Sequence, residues 1–342
     1  MRRFSFIIAA LATRAVFGQA DFNMREVYQD YRTVVIKAAA ATVAMVPMEN
    51  LLPNTINVSA NKRAYQNASA SYRLLDKSQK AKVLASFESE SLLAKDFTPV
   101  YRKLHERGYC EDFSMAKQAS FSSCSGTLIS DRHVLTAGHC ADVKNMCADY
   151  RWVFGYQMNR EEKLPDSYKK KNVYSCKEIV SSINVKARFG FATDLYQTYL
   201  RTDFAIIELD RPVEGFTPAK LSTKPFVENG DKVFSISYPL GTPAKLSFDG
   251  EVQSDVRTPA YFWSTLIVLG GSSGGPIFNE ETGEVVGVIS KGPATTTKDA
   301  DRRCVYEKAP VFNDNGPSNQ TNSNAQMKKI QEVIKKKNIA IF

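Results

Sequence analysis

The run Leu269–Phe278, LGGSSGGPIF, holds the residues best suited to chemistry. Within it Ser272 and Ser273 lie between Gly270-Gly271 and Gly274-Gly275-Pro276. Glycine admits backbone angles closed to other residues and lets a second stretch of chain come close. Such a loop can expose one hydroxyl while aiming its own N–H groups at whatever that hydroxyl attacks. Apolar flanks, Trp263–Leu269 and Pro276–Phe278, set the run inside structure and argue against a Gly/Ser linker. A neutral hydroxyl attacks poorly near pH 7 and needs a base. The chain offers three histidines, His105, His133 and His139. His139 follows the apolar stretch His133–Thr136 in Thr136-Ala137-Gly138-His139-Cys140, where small neighbours leave the ring room. Cys140 can be stapled to Cys124, at the start of the preceding strand, which would fix the loop bearing the base. His105 and His133 are read as surface or satisfied core histidines. A serine–histidine pair also wants a carboxylate to hold the ring tautomer and stabilise the imidazolium. Asp203 opens the apolar stretch Asp203–Leu209, partly buried yet at a strand end; taken alone, an Asp there is a turn residue.

Bringing three such distant positions together is the work of the surrounding elements. From Phe121 onwards short apolar runs alternate with turn signals: Thr127–Ile129, His133–Thr136, Trp152–Tyr156, Phe204–Leu209, Lys232–Ser237, Phe262–Leu269 and Val285–Ile289. Strands of that length and spacing, with no long helical segments between them, describe an antiparallel sandwich or barrel. Upstream, Ala38–Val46 fits a buried helix or strand, and the β-branched residues with the Pro47 stop favour a strand over Thr42–Met48. Ser59–Thr98 is polar and rich in Ala, Ser and Lys, with Ser78–Leu93 able to form an amphipathic helix; it reads as an insertion. Asn313–Asn324 reads as a polar linker. Ala325–Asn338 then sets Met327, Ile330, Val333 and Ile334 at helical spacing, with lysines elsewhere. No internal repeat is found.

The 342 residues allow one large β domain or two ordinary ones, with a full core in either case. A hydrophobic content of 43% with 24% charged residues fits a folded chain and excludes disorder. The net charge of +9 raises nucleic acid as a partner. Lysine and arginine are dispersed, however, with unbroken triplets only at Lys169–Lys171 and Lys335–Lys337, and no P-loop or zinc-finger pattern accompanies them. No nucleic-acid partner is expected. Residues 1–20 read as a signal peptide: Arg2-Arg3, apolar Phe4–Ala12, then small residues at Gly18-Gln19-Ala20, with Arg14 an awkward charge. No stretch is long enough to span a bilayer. Six cysteines then suit disulfides in an oxidising space, secreted or periplasmic.

Together Cys124–Cys140 (CSGTLISDRHVLTAGHC), Thr202–Val213 (TDFAIIELDRPV) and Gly270–Asn279 (GGSSGGPIFN) resemble the trypsin/chymotrypsin-like serine peptidases, especially their bacterial branch. The chain order His, Asp, Ser matches as well, whereas an α/β-hydrolase runs Ser, acid, His. The resemblance is firm over about Ser120–Gly292. It implies an all-β fold of two six-stranded antiparallel barrels, with a C-terminal helix and a partly helical insertion at about 59–98. The peptidase domain would then span 21–312, with linker and basic helix over 313–342. It further implies that Ser273 attacks the scissile carbonyl, that His139 carries the proton and that Asp203 orients His139. The N–H groups of Gly271 and Ser273 would form the oxyanion hole, worth roughly 3–4 kcal/mol of barrier per donor. The substrate would be a peptide or protein and the protein a monomer, with no metal or other cofactor needed.

Two departures qualify the resemblance. Trypsin-type enzymes carry Asp before the nucleophile, to pair with a newly cut N-terminus; here Ser272 stands in its place and that switch is absent. The primary pocket would be lined by Ile267, Val268 and Leu269, which does not support cleavage after Lys or Arg. Ile289 stands where glutamyl-specific relatives use histidine. Ser290-Lys291-Gly292 match the edge that pairs with substrate backbone. A small or apolar residue before the cut is expected, with Lys291 favouring acidic neighbours; a collapsed, unselective pocket is the rival reading. The four cysteines Cys110, Cys147, Cys176 and Cys304 allow three pairings that sequence does not separate; Cys147–Cys176 and Cys110–Cys304 are the ones expected. The C-terminal helix resembles the family's terminal helix, docked on the second barrel, with an anionic-surface anchor as its alternative. An inactive binding protein on the same fold, a serine esterase or lipase, and a basic surface binder are the rival functions.

Overall fold

In the computed structural model, which describes residues 24–54, 94–184, 202–253, 261–292, 295–308 and 322–341, strands dominate. In chain order the first are β1 (Met24–Glu26), β2 (Thr42–Pro47), β3 (Leu51–Asn54), β4 (Asp96–Pro99), β5 (Arg102–Lys103) and β6 (Ala119–Ser120). Then come β7 (Cys124–Leu128), β8 (His133–Thr136), β9 (Tyr150–Phe154), β10 (Tyr168–Lys169), β11 (Val173–Asn184) and β12 (Asp203–Leu209). The second half holds β13 (Lys232–Ser237), β14 (Lys245–Gln253), β15 (Tyr261–Ser264), β16 (Pro276–Asn279) and β17 (Val285–Lys291). It closes with β18 (Thr296–Asp299), β19 (Cys304–Glu307) and β20 (Asn322–Gln326). Four α-helices accompany them among the described residues: α1 (Thr33–Ala41), α2 (Gly138–Ala141), α3 (Met146–Asp149) and α4 (Met327–Lys336).

The strands make two closed antiparallel barrels. The first runs β11-β12-β8-β7-β2-β9 and back to β11. The second runs β14-β13-β16-β17-β20-β15 and is closed by the β14–β15 pairing at Val252–Ser264, with β1 added outside β14. Closure removes the unpaired edges that an open sheet would expose. A single apolar cluster joins the halves: Val46, Leu135, Phe204 and Ile206 from the first barrel meet Phe234, Ile236, Phe278 and Val288 from the second. This shared floor holds the two barrels, and whatever sits between them, in fixed relation.

The expected Ala38–Val46 element divides. Alanines carry α1 as far as Ala41, where Val35, Ala38 and Ala41 face the core. At Thr42 the chain turns into β2, and Thr42 Oγ1 donates to the Ala38 carbonyl at 2.8 Å. β2 pairs on both sides, with β7 and β9, and is integral to the first barrel. The expected linker Asn313–Asn324 needs correction, because its end belongs to β20, which lies between β15 and β17. A strand held between two neighbours is fixed by backbone pairing and can be polar. Buried Asn324 shows this, its Nδ2 donating to Ser264 Oγ at 3.1 Å.

The strand expected over Phe262–Leu269 ends at Ser264, and Thr265–Leu269 lead into the glycine-rich loop without strand structure. The last residues of the expected insertion, Asp96–Thr98, lie in β4, which pairs with β3 and β10. The Ser78–Leu93 helix and the signal peptide lie outside the described residues. Helix α4 buries Met327, Ile330 and Ile334 in the shared core and leaves Lys328, Lys329, Lys335 and Lys336 exposed. Among the described residues no helix is long and apolar enough to cross a membrane.

Three disulfides are formed. Cys124–Cys140 joins the start of β7 to α2. Cys147–Cys176 joins α3 to β11. Cys110–Cys304 joins the segment before the first barrel's β7 to the β18–β19 hairpin that follows the second barrel's β17.

Candidate active site

His139 lies in the short helix α2, entered directly from β8, and Asp203 is the first residue of the adjacent β12. The β8–β12 register carries both to the same end of the first barrel. Gly138 is what lets them meet: a Cβ there would lie 2.9 Å from Asp203 Oδ1 and clash with the Ile183 carbonyl. Asp203 then receives two hydrogen bonds from His139. The backbone N–H donates to Oδ1 at 2.9 Å, and ring Nδ1 lies 2.7 Å from Oδ2.

Ser290 Oγ, near the end of β17, donates to the same Oδ2 at 2.6 Å. Burial pushes the Asp203 carboxyl up, but the hydrogen bonds and charge of His139, with Ser290, outweigh it and leave the group below its usual range. An ionised carboxylate only accepts, so the proton on His139 sits on Nδ1 and the Nε2 lone pair is left to act as a base.

Ser273 lies in the loop between β15 and β16, pressed against the first barrel. Its carbonyl accepts from Ser125 N at 2.8 Å and lies 3.7 Å from Cys140 Sγ, whose residue adjoins His139. Gly274, at φ 82°, makes this approach possible, because a Cβ there would strike Thr136 Oγ1 and the Ser125 carbonyl. Ser125 Oγ also donates to the Gly271 carbonyl at 2.9 Å. One residue of β7 thus grips the loop at two points.

The N–H groups of the loop alternate. Those of Ser272, Gly274 and Gly275 donate to the carbonyls of Leu269, Ile289 and Ser272. Those of Gly271 and Ser273 donate to no backbone carbonyl among the described residues. Two free N–H groups flanking one hydroxyl are the donors an oxyanion would need. Ser272 is fully buried, and its Oγ accepts from Ser237 Oγ at 3.0 Å, a neutral contact where an aspartate would demand a cation.

Of the remaining residues expected at the site, Val268 and Ile289 are buried together in the second barrel's apolar cluster, and Ile267 is half-buried. Lys291 is exposed at the end of β17 and Gly292 follows it, half-buried. Ser290, in the edge expected to pair with substrate backbone, also holds Asp203 through its side-chain hydroxyl. Neither that contact nor the grip of Ser125 has a signal in the sequence, since a serine beside a strand end has no period to mark it. His105 and His133 lie apart, their Nδ1 atoms 3.1 Å from the Ala116 carbonyl and 2.7 Å from Ser130 Oγ. Cys124, His139 and Cys140 cluster closely, but both sulfurs are tied up in the disulfide and only the imidazole remains as a donor.

The two closed barrels, with this polar cluster between them, have the architecture that the sequence resemblance implies. Residues 124–288 match the family model described as the trypsin-like peptidase domain. Among solved structures, the VesB protease of Vibrio cholerae is similar at 18% identity and a TM-score of 0.42, over 64% of this chain and 60% of that one. The Rv3671c protease of M. tuberculosis H37Rv, in an inactive form, is similar at 16% identity and a TM-score of 0.36, over 62% of this chain and 83% of that one. The chain therefore spans less than two thirds of the VesB chain it matches. No curated protein matches this sequence.

Proposed function

We propose that the protein is an exported serine endopeptidase that works through Ser273, His139 and Asp203. The observation that carries this reading is the 2.7 Å contact of His139 Nδ1 with Asp203 Oδ2, made where the Ser273 loop abuts the His139 turn. Ser273 Oγ adds to the carbonyl carbon of a peptide bond while its proton passes to His139 Nε2. The carbonyl oxygen becomes an anion between the N–H groups of Gly271 and Ser273. The C–N bond then breaks, the amine leaves with the proton held by His139, and an acyl-Ser273 ester remains. A water molecule gives one proton to His139 Nε2 as its oxygen adds to the ester carbonyl. The C–Oγ bond then breaks, His139 returns that proton to Ser273 Oγ, and the acid is released. Asp203 stays ionised throughout and stabilises the imidazolium.

The buried Val268 and Ile289, with half-buried Ile267, favour a small or apolar residue before the cut. The three disulfides favour an oxidising compartment, secreted or periplasmic. Treating the protein with a fluorophosphonate probe and mapping the modified residue tests the reading. Labelling is expected at Ser273 and is lost in Ser273→Ala and in His139→Ala. An unlabelled wild-type protein would overturn it.

A further inference from the structure

The site needs the Gly271 N–H to face the developing oxyanion, and that N–H shares a peptide unit with the Gly270 carbonyl. In a trans peptide the two point in opposite directions, so fixing the carbonyl aims the N–H. The Gly270 carbonyl is fixed by one donor, the N–H of Leu240. Leu240 is itself in the left-handed region, at φ 54° and ψ 19°. A branched, bulky residue rarely adopts that conformation, and it persists only where its surroundings hold it there.

What holds it is the segment that leads into β7. Ser120 Oγ donates to the Leu240 carbonyl at 2.7 Å and accepts from Arg107 Nη1. Next to it, Phe121 N donates to the Gly241 carbonyl at 2.8 Å, and Tyr156 Oη reaches the same carbonyl at 3.0 Å. There is no slack: a Cβ on Gly241 would lie 2.8 Å from Ser120 Oγ, and one on Gly271 would lie 2.7 Å from the Tyr238 carbonyl. Leu269, on the other side of the loop, is buried against Leu104, Phe113 and Met115 of the same segment. Ser272 has no charge with which to order the loop by an ion pair, so the ordering has to come from packing and neutral hydrogen bonds of this kind.

We propose that Ser120, braced by Arg107, is a positioning residue for the oxyanion donor at Gly271. It clamps the strained Leu240 turn, and that turn sets the Gly270–Gly271 peptide. The inference rests on the reading of Ser273 as a nucleophile, and its test separates the two.

The test follows fluorophosphonate inactivation of the full chain, resolved into maximal rate and half-saturating concentration, with the affinity of a peptide boronate and the thermal midpoint. Ser120→Ala is expected to lower the maximal rate by about tenfold or more, short of the roughly 10²–10³ lost when such a donor is removed outright. Boronate affinity should fall in step, with half-saturation unchanged. Ser120→Thr, which keeps the hydroxyl, restores both. Exposed Arg107→Met gives a smaller loss of the same kind and serves if Ser120→Ala does not fold. Leu240→Gly added to Ser120→Ala recovers part of the rate, since glycine holds the turn without a clamp. Normal rate and boronate affinity in Ser120→Ala and Arg107→Met overturn the inference alone. So does a loss that tracks the thermal midpoint and is not rescued by threonine. A wild-type protein that never reacts overturns both the inference and the nucleophile reading.

Discussion

Asp203 takes three donors through two oxygens, and two of them come from His139. That arrangement fixes where the ring lies and which nitrogen carries its proton. Asp203→Asn keeps the size of the side chain but adds an N–H₂ where only acceptors are wanted. The amide can satisfy the His139 backbone N–H or Nδ1–H, and presenting its N–H₂ to the ring favours the wrong tautomer. The expected fall in kcat is about 10⁴-fold, with KM little changed, measured on any ester or peptide that the wild type turns over. The same contacts appear in the acid stability. Because the folded carboxyl lies below its usual value, its contribution is complete above the unfolded carboxylate range and is lost as the pH falls through the folded value. Urea midpoints between pH 7 and pH 3 should therefore fall more in wild type than in Asp203→Asn. Equal slopes would show that the carboxylate adds nothing to the fold.

β1 adds itself to the outside of the second barrel by three register pairs with β14, and it carries a buried ion pair with it. Glu26 stands opposite Lys245, and their side chains join in a salt bridge with only 13% and 5% exposed. Burial pushes the Lys245 ammonium down, and Glu26 opposes that shift. Removing one partner leaves the other charge buried and unpaired, so Glu26→Gln should cost about 3–5 kcal/mol in a urea titration. Glu26→Leu with Lys245→Met, which removes both charges, should lose far less. A loss as large in the double variant would mean that strand pairing rather than charge holds β1.

Elements with an apolar period, such as β8, β12 and β13, were legible in the sequence nearly to the residue, and with them the positions of His139 and Asp203. β11 was not, because charged Lys177 and Glu178 and the exposed Ile179 interrupt its apolar alternation. β20 was not either, since Asn322–Gln326 owes its strand to neighbours far away in the chain. The motifs supplied the polar residues proposed for the site, while the Ser125 and Ser290 contacts emerge only once both barrels close.

The two barrels share one core, and helix α4 plugs it from the C-terminal side. Ile330 is fully buried there among residues of both halves. Its removal should therefore weaken the molecule as a unit and not the second barrel alone. Ile330→Ala is expected to cost about 2–5 kcal/mol through lost burial and the cavity left behind. The chain supplies its own reporters, since its two tryptophans fall one in each barrel, Trp152 in β9 and Trp263 in β15. With Trp152→Phe or Trp263→Phe as background, fluorescence follows one barrel at a time through a urea transition. Coincident midpoints are expected in both backgrounds, and Ile330→Ala should move them down together. The proposed pairing of Ser273 with His139 depends on this coupling, because the Ser273 loop leads into the second barrel's β16 while His139 follows β8 of the first. If the Trp263 transition moved and the Trp152 transition stayed, the barrels would be independent folding units. The geometry between Ser273 and His139 would then need another source of rigidity.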